Sequence, residues 1–368
     1  MVEDHCLFLR INFIQMLNSA VPVCSGQFCA NQRTIFSLFT ALSSLLMKRP
    51  RFLPDNMTLL LFSVVLAASF FPCTGQVAAG FNTLTTIMIA VLFFMHGAKL
   101  SRAAVLAGAT HWRLHLTVLL FTFAVFPLIG VLFKPVFLWL VTPELYLGIL
   151  FLCLLPSTVQ SSIAFTAVAR GNVPAAVCSA SASNILGIFL TPLLVSLLLA
   201  SPATNHSSVD AILKIVYQLL LPFIAGQMVR PWIAAWIERH KNVLKMVDQS
   251  SILLVVYVAF SEAVAQGLWH QVPAGMLMSL IAISALMLAM IMSLTMFASR
   301  HLGFSKEDEI TVVFCGSKKT LASGVPMAKV LFASHAVGMV LLPLMIFHQL
   351  QLMVCAVMAQ RYAARKET

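Results

Sequence analysis

Two adjacent lysines, Lys318 and Lys319, interrupt an apolar stretch in the run Cys315-Gly316-Ser317-Lys318-Lys319-Thr320-Leu321-Ala322-Ser323-Gly324. A lysine at the centre of a bilayer costs about 2.5–3.5 kcal/mol even on the lenient insertion scale, so two neighbours do not persist on a lipid face. The chemistry they offer is fixed positive charge in a binding cavity, either for an anionic substrate or in place of a bound cation. The plainer alternative is that they neutralise a buried carboxylate or cap backbone carbonyls that a helix break has freed. A second polar interruption, Leu155-Pro156-Ser157-Thr158-Val159-Gln160-Ser161-Ser162, lies in another apolar segment. Pro156 has no backbone N–H to continue a helical ladder, and Gly316 and Gly324 loosen the chain at the other break. Non-helical backbone at membrane depth survives only where it is buried in protein or lines a water-filled cavity. Gln160, Ser161 and Ser162 from one break, and Ser317, Lys318, Lys319 and Thr320 from the other, are therefore the expected substrate- or ion-binding residues. No catalytic residue and no protein-held metal are expected.

Other polar groups carry weaker signals. Glu262 is the only carboxylate well inside a span, a candidate lysine partner or proton carrier. His348, Gln349 and Gln351 form a polar stripe for which interhelical hydrogen bonding is the expected role. Ser179, Ser181, Ser183 and Asn184 make one helix small and polar, suited to close packing or to ligand binding. Glu307-Asp308-Glu309 places negative charge where a helix N-terminus favours it. HExxH, GxSxG and GxxxxGK[ST] are all missing, so hydrolysis, acyl transfer and ATP-driven pumping lack their usual parts and no enzyme is expected. The eight cysteines show no metal-ligand spacing and read as reduced structural thiols.

The elements that must position these residues are membrane helices. The chain has 368 residues, 60% of them hydrophobic and 10% charged, with a mean hydropathy of +0.95; a soluble domain carries about 25% charged residues. Apolar runs near 57–72, 80–98, 114–133, 145–169, 173–199, 210–228, 249–268, 273–298, 307–332 and 336–360 predict ten transmembrane helices. Sixteen Lys and Arg fall in one alternating set of loops, and only Lys134, Lys214 and Lys329 in the other. That asymmetry predicts both termini in the cytoplasm of a cell inner (plasma) membrane. It also accounts for the formal charge of +11 without nucleic acid. The two interruptions fall in the fourth and ninth spans, corresponding places in two halves of five, which is the mark of an inverted-repeat transporter with its site at the midplane. Residues 1–46 lack this pattern and read as an N-terminal extension, with a peripheral helix around Thr34–Leu46 as the rival reading. Residues 47–199 and 200–362 are the expected five-helix repeats, and 363–368 a cytoplasmic tail.

From Pro156-Ser157-Thr158 through Ala169-Arg170-Gly171-Asn172-Val173-Pro174-Ala175-Ala176, the sequence resembles the bile acid:sodium symporter superfamily, in which an ARGN turn joins a broken helix to the next. Phe94-Met95-His96-Gly97 and Phe123-Ala124-Val125-Phe126-Pro127 fit the same pattern. Val313-Phe314-Cys315-Gly316-Ser317-Lys318-Lys319-Thr320-Leu321-Ala322 is similar to the branch named for sodium-dependent transport, which includes the seventh member of human solute carrier family ten. The resemblance covers Met47 to about Tyr362. It implies two inverted repeats, with the first, second, sixth and seventh spans as a panel and the rest as a core whose fourth and ninth helices cross. It also implies two sodium ions beside the crossing. Their ligands would fall near Ser161 and Ser162, at Thr122, near Ala176 and Ala180, near Phe314 and at Lys318. This sequence departs from that set: Phe314 or its neighbour stands where the bile acid transporters carry a shared glutamate, Lys318 replaces a glutamine, and Ala176 and Ala180 replace hydroxyls. A fixed ammonium 4 Å from a sodium ion repels it by about 4 kcal/mol at an effective dielectric near 20. The expected function is alternating-access transport of a small organic anion, with Lys318 in place of at least one sodium ion and with coupling to protons, to a single sodium or to no ion left open. The alternative is a non-transporting membrane regulator that keeps the fold.

Overall fold

The computed structural model describes residues 56–99, 111–199, 216–332 and 337–365. The extension at 1–46, with Cys6, Cys24 and Cys29, lies outside the described residues, as does the loop with Lys214. Among the described residues the chain is helix and short connection, with no strand. The helices are α1 Asn56–Phe70, α2 Gly75–Lys99, α3 Trp112–Leu132, α4 Lys134–Leu140, α5 Pro143–Leu154, α6 Gln160–Val168 and α7 Val173–Leu199. They continue with α8 Tyr217–Arg239, α9 Lys241–Ala265, α10 Leu268–Gln271, α11 Ala274–His301, α12 Lys306–Gly316, α13 Leu321–Leu331 and α14 Val337–Ala363. Seven of them, α2, α3, α7, α8, α9, α11 and α14, are each long and apolar enough to cross a bilayer. The chain is a multi-pass membrane protein.

The expected fourth and ninth spans are both broken in the structure, into α5 and α6 and into α12 and α13. Thr142 caps α5 by accepting from the Leu145 N–H at 3.4 Å, with Pro143 at the first turn, and α5 stops at Leu154 because Pro156 cannot propagate it. Ser305 caps α12 by accepting from the Asp308 N–H at 3.2 Å, and Glu307, Asp308 and Glu309 fill its first turn. Arg170 takes the left-handed conformation, φ +57°, in the turn after α6, and Asn172 then caps α7 by accepting from the Ala175 N–H at 3.1 Å. The Asn172 amide also donates to Asp308 at 2.8 Å, which docks this turn on the first turn of α12.

Two boundaries differ from expectation. The sixth span was expected at 210–228, and the described helix α8 runs to Arg239, with Pro231 accommodated inside it. The seventh, expected at 249–268, starts earlier, at Lys241, and its Asp248 pairs with Lys99 of α2 at 2.7 Å. Charged residues at these ends are part of helices that outrun their apolar stretches. The short helices α4 and α10 carry no expected span.

Packing places α2 against α8 and α9, while α5 packs on α14, α11 on α12 and α14, and α6 on α7, α12 and α14. Helix α9 joins the two groups by packing on α13 and α14. The outward faces are apolar, with Phe70, Trp139 and Trp232 at 74%, 85% and 79% exposure, and the polar side chains Thr122, Ser157, Ser162, Lys318, Lys319 and Gln351 are fully buried. That inside-out distribution suits a surface bathed in lipid. Gly97 of α2 and Gly226 of α8 seat each helix on the other's backbone: a Cβ on Gly97 would fall 2.0 Å from the Phe223 carbonyl oxygen, and one on Gly226 1.9 Å from that of Phe94.

Candidate functional site

Each broken helix leaves carbonyls at a C-terminus and N–H groups at an N-terminus without intrahelical partners. The two breaks meet, so each supplies partners for the other. The Thr320 N–H donates to the Pro156 carbonyl at 3.0 Å. Ser157 Oγ donates to the Cys315 carbonyl at 2.5 Å, and Ser162 Oγ to the Phe314 carbonyl at 3.0 Å. Ser317 Oγ turns back on its own helix, donating to the Val313 carbonyl at 2.5 Å. Hydroxyls thereby engage the Val313, Phe314 and Cys315 carbonyls at the end of α12.

The peptide at each break is held by the helix that follows it. Ser183 and Asn184 of α7 hold Ser157: the Ser157 N–H donates to Ser183 Oγ at 3.0 Å, and the Asn184 amide donates to the Ser157 carbonyl at 2.6 Å. Gln351 of α14 holds Lys319: its Oε1 accepts from the Lys319 N–H at 2.9 Å, and its Nε2 donates to the Lys319 carbonyl at 2.8 Å. His348 Nδ1 lies 3.3 Å from the same carbonyl. A single side-chain amide supplying one donor and one acceptor replaces what a continuous helix would have given the two backbone groups of that residue.

The two lysines diverge completely. Lys319 Nζ donates to the carbonyls of Thr122, Cys153 and Leu155 at 2.8, 2.9 and 2.7 Å, with the Phe126 ring centroid 4.1 Å away. Cys153 and Leu155 offer carbonyls because α5 ends there; Thr122 offers its own because α3 relaxes to a π turn over Phe121–Val125. Three acceptors use all three protons of an ammonium. Lys318 Nζ has no hydrogen-bond partner, is fully buried, and lies 4.5 Å from the Phe165 ring centroid and 5.6 Å from that of Phe314. Capping of freed carbonyls, the plainer alternative, describes Lys319 and not Lys318.

The remaining expected residues divide as follows. Ser161 Oγ donates to Thr158 Oγ1 at 2.8 Å and is half-buried, while Gln160 is exposed, so α6 opens outward at its first turn. Thr122 reaches the meeting point of the two breaks through its carbonyl, which accepts from Lys319; its hydroxyl is spent on the Val118 carbonyl at 2.7 Å. Thr320 contributes its backbone. Glu262 pairs with Lys329 at 2.8 Å and accepts from Asn82 at 2.9 Å, away from the lysine pair. Sequence reasoning missed the site roles of Gln351, Asn184 and Phe165. Gln351 and Asn184 were noticed as polar residues inside spans, and their position one helix after each break was the signal that could have found them.

This arrangement does not fit the sodium ions that the fold implies. Ala176 and Ala180 bring no side-chain oxygen, Phe314 brings carbon, and Lys318 brings positive charge. Ser162 is bonded to Thr158 at 2.9 Å and to the Phe314 carbonyl, and the three carbonyls near Thr122 are held by Lys319.

Comparison with known proteins agrees with the geometry. Residues 55–364 match the SBF-like CPA transporter family. An uncharacterized protein of Pseudomonas aeruginosa is 65% identical over 321 residues, 87% of this chain and 96% of that one. A protein of Escherichia coli carrying the name "Putative symporter YfeH" is 56% identical over 316 residues, covering 85% and 94%. The rat protein named sodium/bile acid cotransporter 7 is 28% identical over 279 residues, covering 75% and 82%. The second and third of these relatives are named as a symporter and a cotransporter, names of carriers and not of enzymes. Two broken helices that meet at a buried polar centre, and a match over nearly the whole membrane portion, lead to one conclusion: this chain belongs to the SBF-like CPA transporter family, of the bile acid:sodium symporter type.

Proposed function

We propose that the protein is a secondary transporter of a small organic anion, working by alternating access in the inner membrane with both termini in the cytoplasm. The observation that carries this reading is Lys318: an ammonium that is fully buried, without a hydrogen-bond partner, at the point where two broken helices meet. A buried unpaired charge is costly, and an anionic substrate group brings the compensating charge. Helices α6 and α13 both begin at the crossing without a side-chain N-cap, so two positive helix ends face the same place. Gln160 and Ser161, exposed and half-buried, mark the approach.

The same reading takes ten spans as two inverted repeats of five. The parallel holding of Ser157 by α7 and of Lys319 by α14 supports it, because each clamp comes from the helix after a break. In this reading α1, α2, α8 and α9 are the panel, and α3, α5–α7 and α11–α14 the core. The regulator alternative has no observation in its favour. The names of the relatives speak for symport; with no seat for sodium where the breaks meet, a proton is the coupling ion of this reading, and a sodium ion held elsewhere is its rival.

The test is uptake of a panel of organic anions into proteoliposomes, in sodium and in choline buffers, for the wild type and for Lys318→Gln. Anion uptake that is equal in both buffers and abolished in the variant is the expected result. Uptake that survives Lys318→Gln unchanged would remove the anion-binding role. Strict sodium dependence with two-ion stoichiometry would restore the ordinary family mechanism.

A further inference from the structure

Lys319 is built into the fold differently from any residue that binds and releases a ligand. Its ammonium is fully buried and reaches three carbonyl oxygens at 2.7–2.9 Å, drawn from two separate helices, α3 and the end of α5, with an aromatic face 4.1 Å away. The lysine itself is on a third segment, the break between α12 and α13. Two of the three carbonyls come from the place where α5 ends and the third from the π turn of α3, so each exists as a free acceptor only because regular helix has been given up there. Carbonyls converging from different helices, next to a ring face and away from water, form a seat for a monovalent cation. Without a positive occupant the three oxygens would be left buried, mutually repelling and unsatisfied.

We infer that the Lys319 ammonium is a resident, non-exchangeable cation occupying a carbonyl seat between α3 and α5, and that the seat binds small monovalent cations when the side chain is cut away. Lys319 thus joins the two halves of the crossing permanently, and sodium is shut out of this place by covalent competition. The peptide clamp from Gln351 fits the assignment: it fixes the Lys319 backbone so that the side chain has a constant reach to the three carbonyls. Lys318, one residue away, has no carbonyl and is not interchangeable with it. The inference deepens the proposed reading of the same site, and it is tested through folding stability, so failure of anion uptake would leave it standing and its own failure would leave the carrier reading standing.

The experiment uses the full-length protein in detergent, melted in choline, sodium, ammonium and methylammonium chloride at equal ionic strength, as wild type and as Lys319→Ala. The wild type is expected to melt at the same temperature in all four salts. Lys319→Ala is expected to melt lower in choline and to recover saturably in sodium or ammonium, the folded-to-unfolded ratio rising about a hundredfold at a hundred times the cation's dissociation constant. A Lys319→Ala protein indifferent to all small cations would overturn the inference. A second measurement stands on the wild type alone, in case the variant does not fold: equilibrium dialysis against radioactive sodium. No stoichiometric sodium at the crossing is expected. One sodium bound per wild-type chain and lost in Thr122→Pro, which deforms the π turn, would show that the seat is open, and would overturn it as well.

Discussion

Replacing Gln351 by leucine isolates the clamp on the Lys319 peptide. Three hydrogen bonds vanish, from the Lys319 N–H at 2.9 Å, to the Lys319 carbonyl at 2.8 Å and to His348 Nδ1 at 2.8 Å, and the first two hold the Lys319 backbone. Their losses are unequal. With Gln351 gone, His348 Nδ1, 3.3 Å from the carbonyl, can serve it as a donor in the Nδ1–H tautomer, whereas the N–H, buried and facing leucine, has nothing to replace Oε1. An orphaned buried donor costs about 1–3 kcal/mol, and a carbonyl that retains one partner costs little. The expected destabilisation of Gln351→Leu is therefore about 1–3 kcal/mol, mostly through one N–H. His348→Phe alone is expected to cost less than 1 kcal/mol, because Gln351 still serves the carbonyl. The double variant leaves both peptide groups unpaired, so its loss should exceed the sum of the single losses by about 1 kcal/mol. Reversible unfolding in mixed micelles, followed by circular dichroism, measures all four corners of this cycle. A Gln351→Leu protein within 0.5 kcal/mol of wild type, or a strictly additive cycle, would refute the reasoning.

Three further outcomes are expected. Gly97→Leu, which sets side-chain carbon against the Phe223 carbonyl, should fail to give folded protein, and Gly226→Ala should lower the melting temperature clearly; expression and detergent melting check both. Glu262→Gln should cost less than about 1 kcal/mol, since its ion pair with Lys329 is 30% and 18% exposed, in contrast to any change at the buried lysines; melting against Lys329→Met and the double variant measures it. Asn172→Ala should cost about 1–2 kcal/mol through the lost α7 cap and the lost bond to Asp308, and Asn172→Asp should not recover it, because it keeps an acceptor for the Ala175 N–H but sets a second carboxylate against Asp308; denaturant titration measures both.

Much of the fold was legible because the membrane imposes a coarse code. Apolar runs long enough to cross, a proline with hydroxyl neighbours, and two lysines with no lipid-compatible place fixed where the chain would break. The roles of the two lysines were not legible. Adjacent residues in a non-helical segment point in unrelated directions, so Lys318 and Lys319 are equivalent in sequence and opposite in space. The π turn over Phe121–Val125, marked in the sequence by nothing but Pro127 just beyond it, presents the Thr122 carbonyl to Lys319. A resemblance that singles out the Thr122 position cannot say whether hydroxyl or carbonyl is used. Gln351 was legible as polar and buried, but its partner lies 32 residues earlier, and only the tertiary fold brings the two together. The late end of α8 escaped because Arg230 and Pro231 look like the close of a span, while the helix carries both.

The break that holds both lysines divides its span evenly, with 11 residues in α12 and 11 in α13. At 1.5 Å per residue, about 16 Å of helix lies on either side, which on the ten-span reading proposed above sets the two side chains near the middle of a hydrocarbon layer about 30 Å thick. Charge at that depth sits where the transmembrane voltage falls. An elementary charge carried across the full drop exchanges about 2.3 kcal/mol with a potential of 100 mV. A potential negative inside draws fixed ammonium groups toward the cytoplasm, so any motion that shifts this crossing along the membrane normal is electrically biased in one direction. Binding a monoanion beside Lys318 halves the moving charge of the pair, and with it that bias.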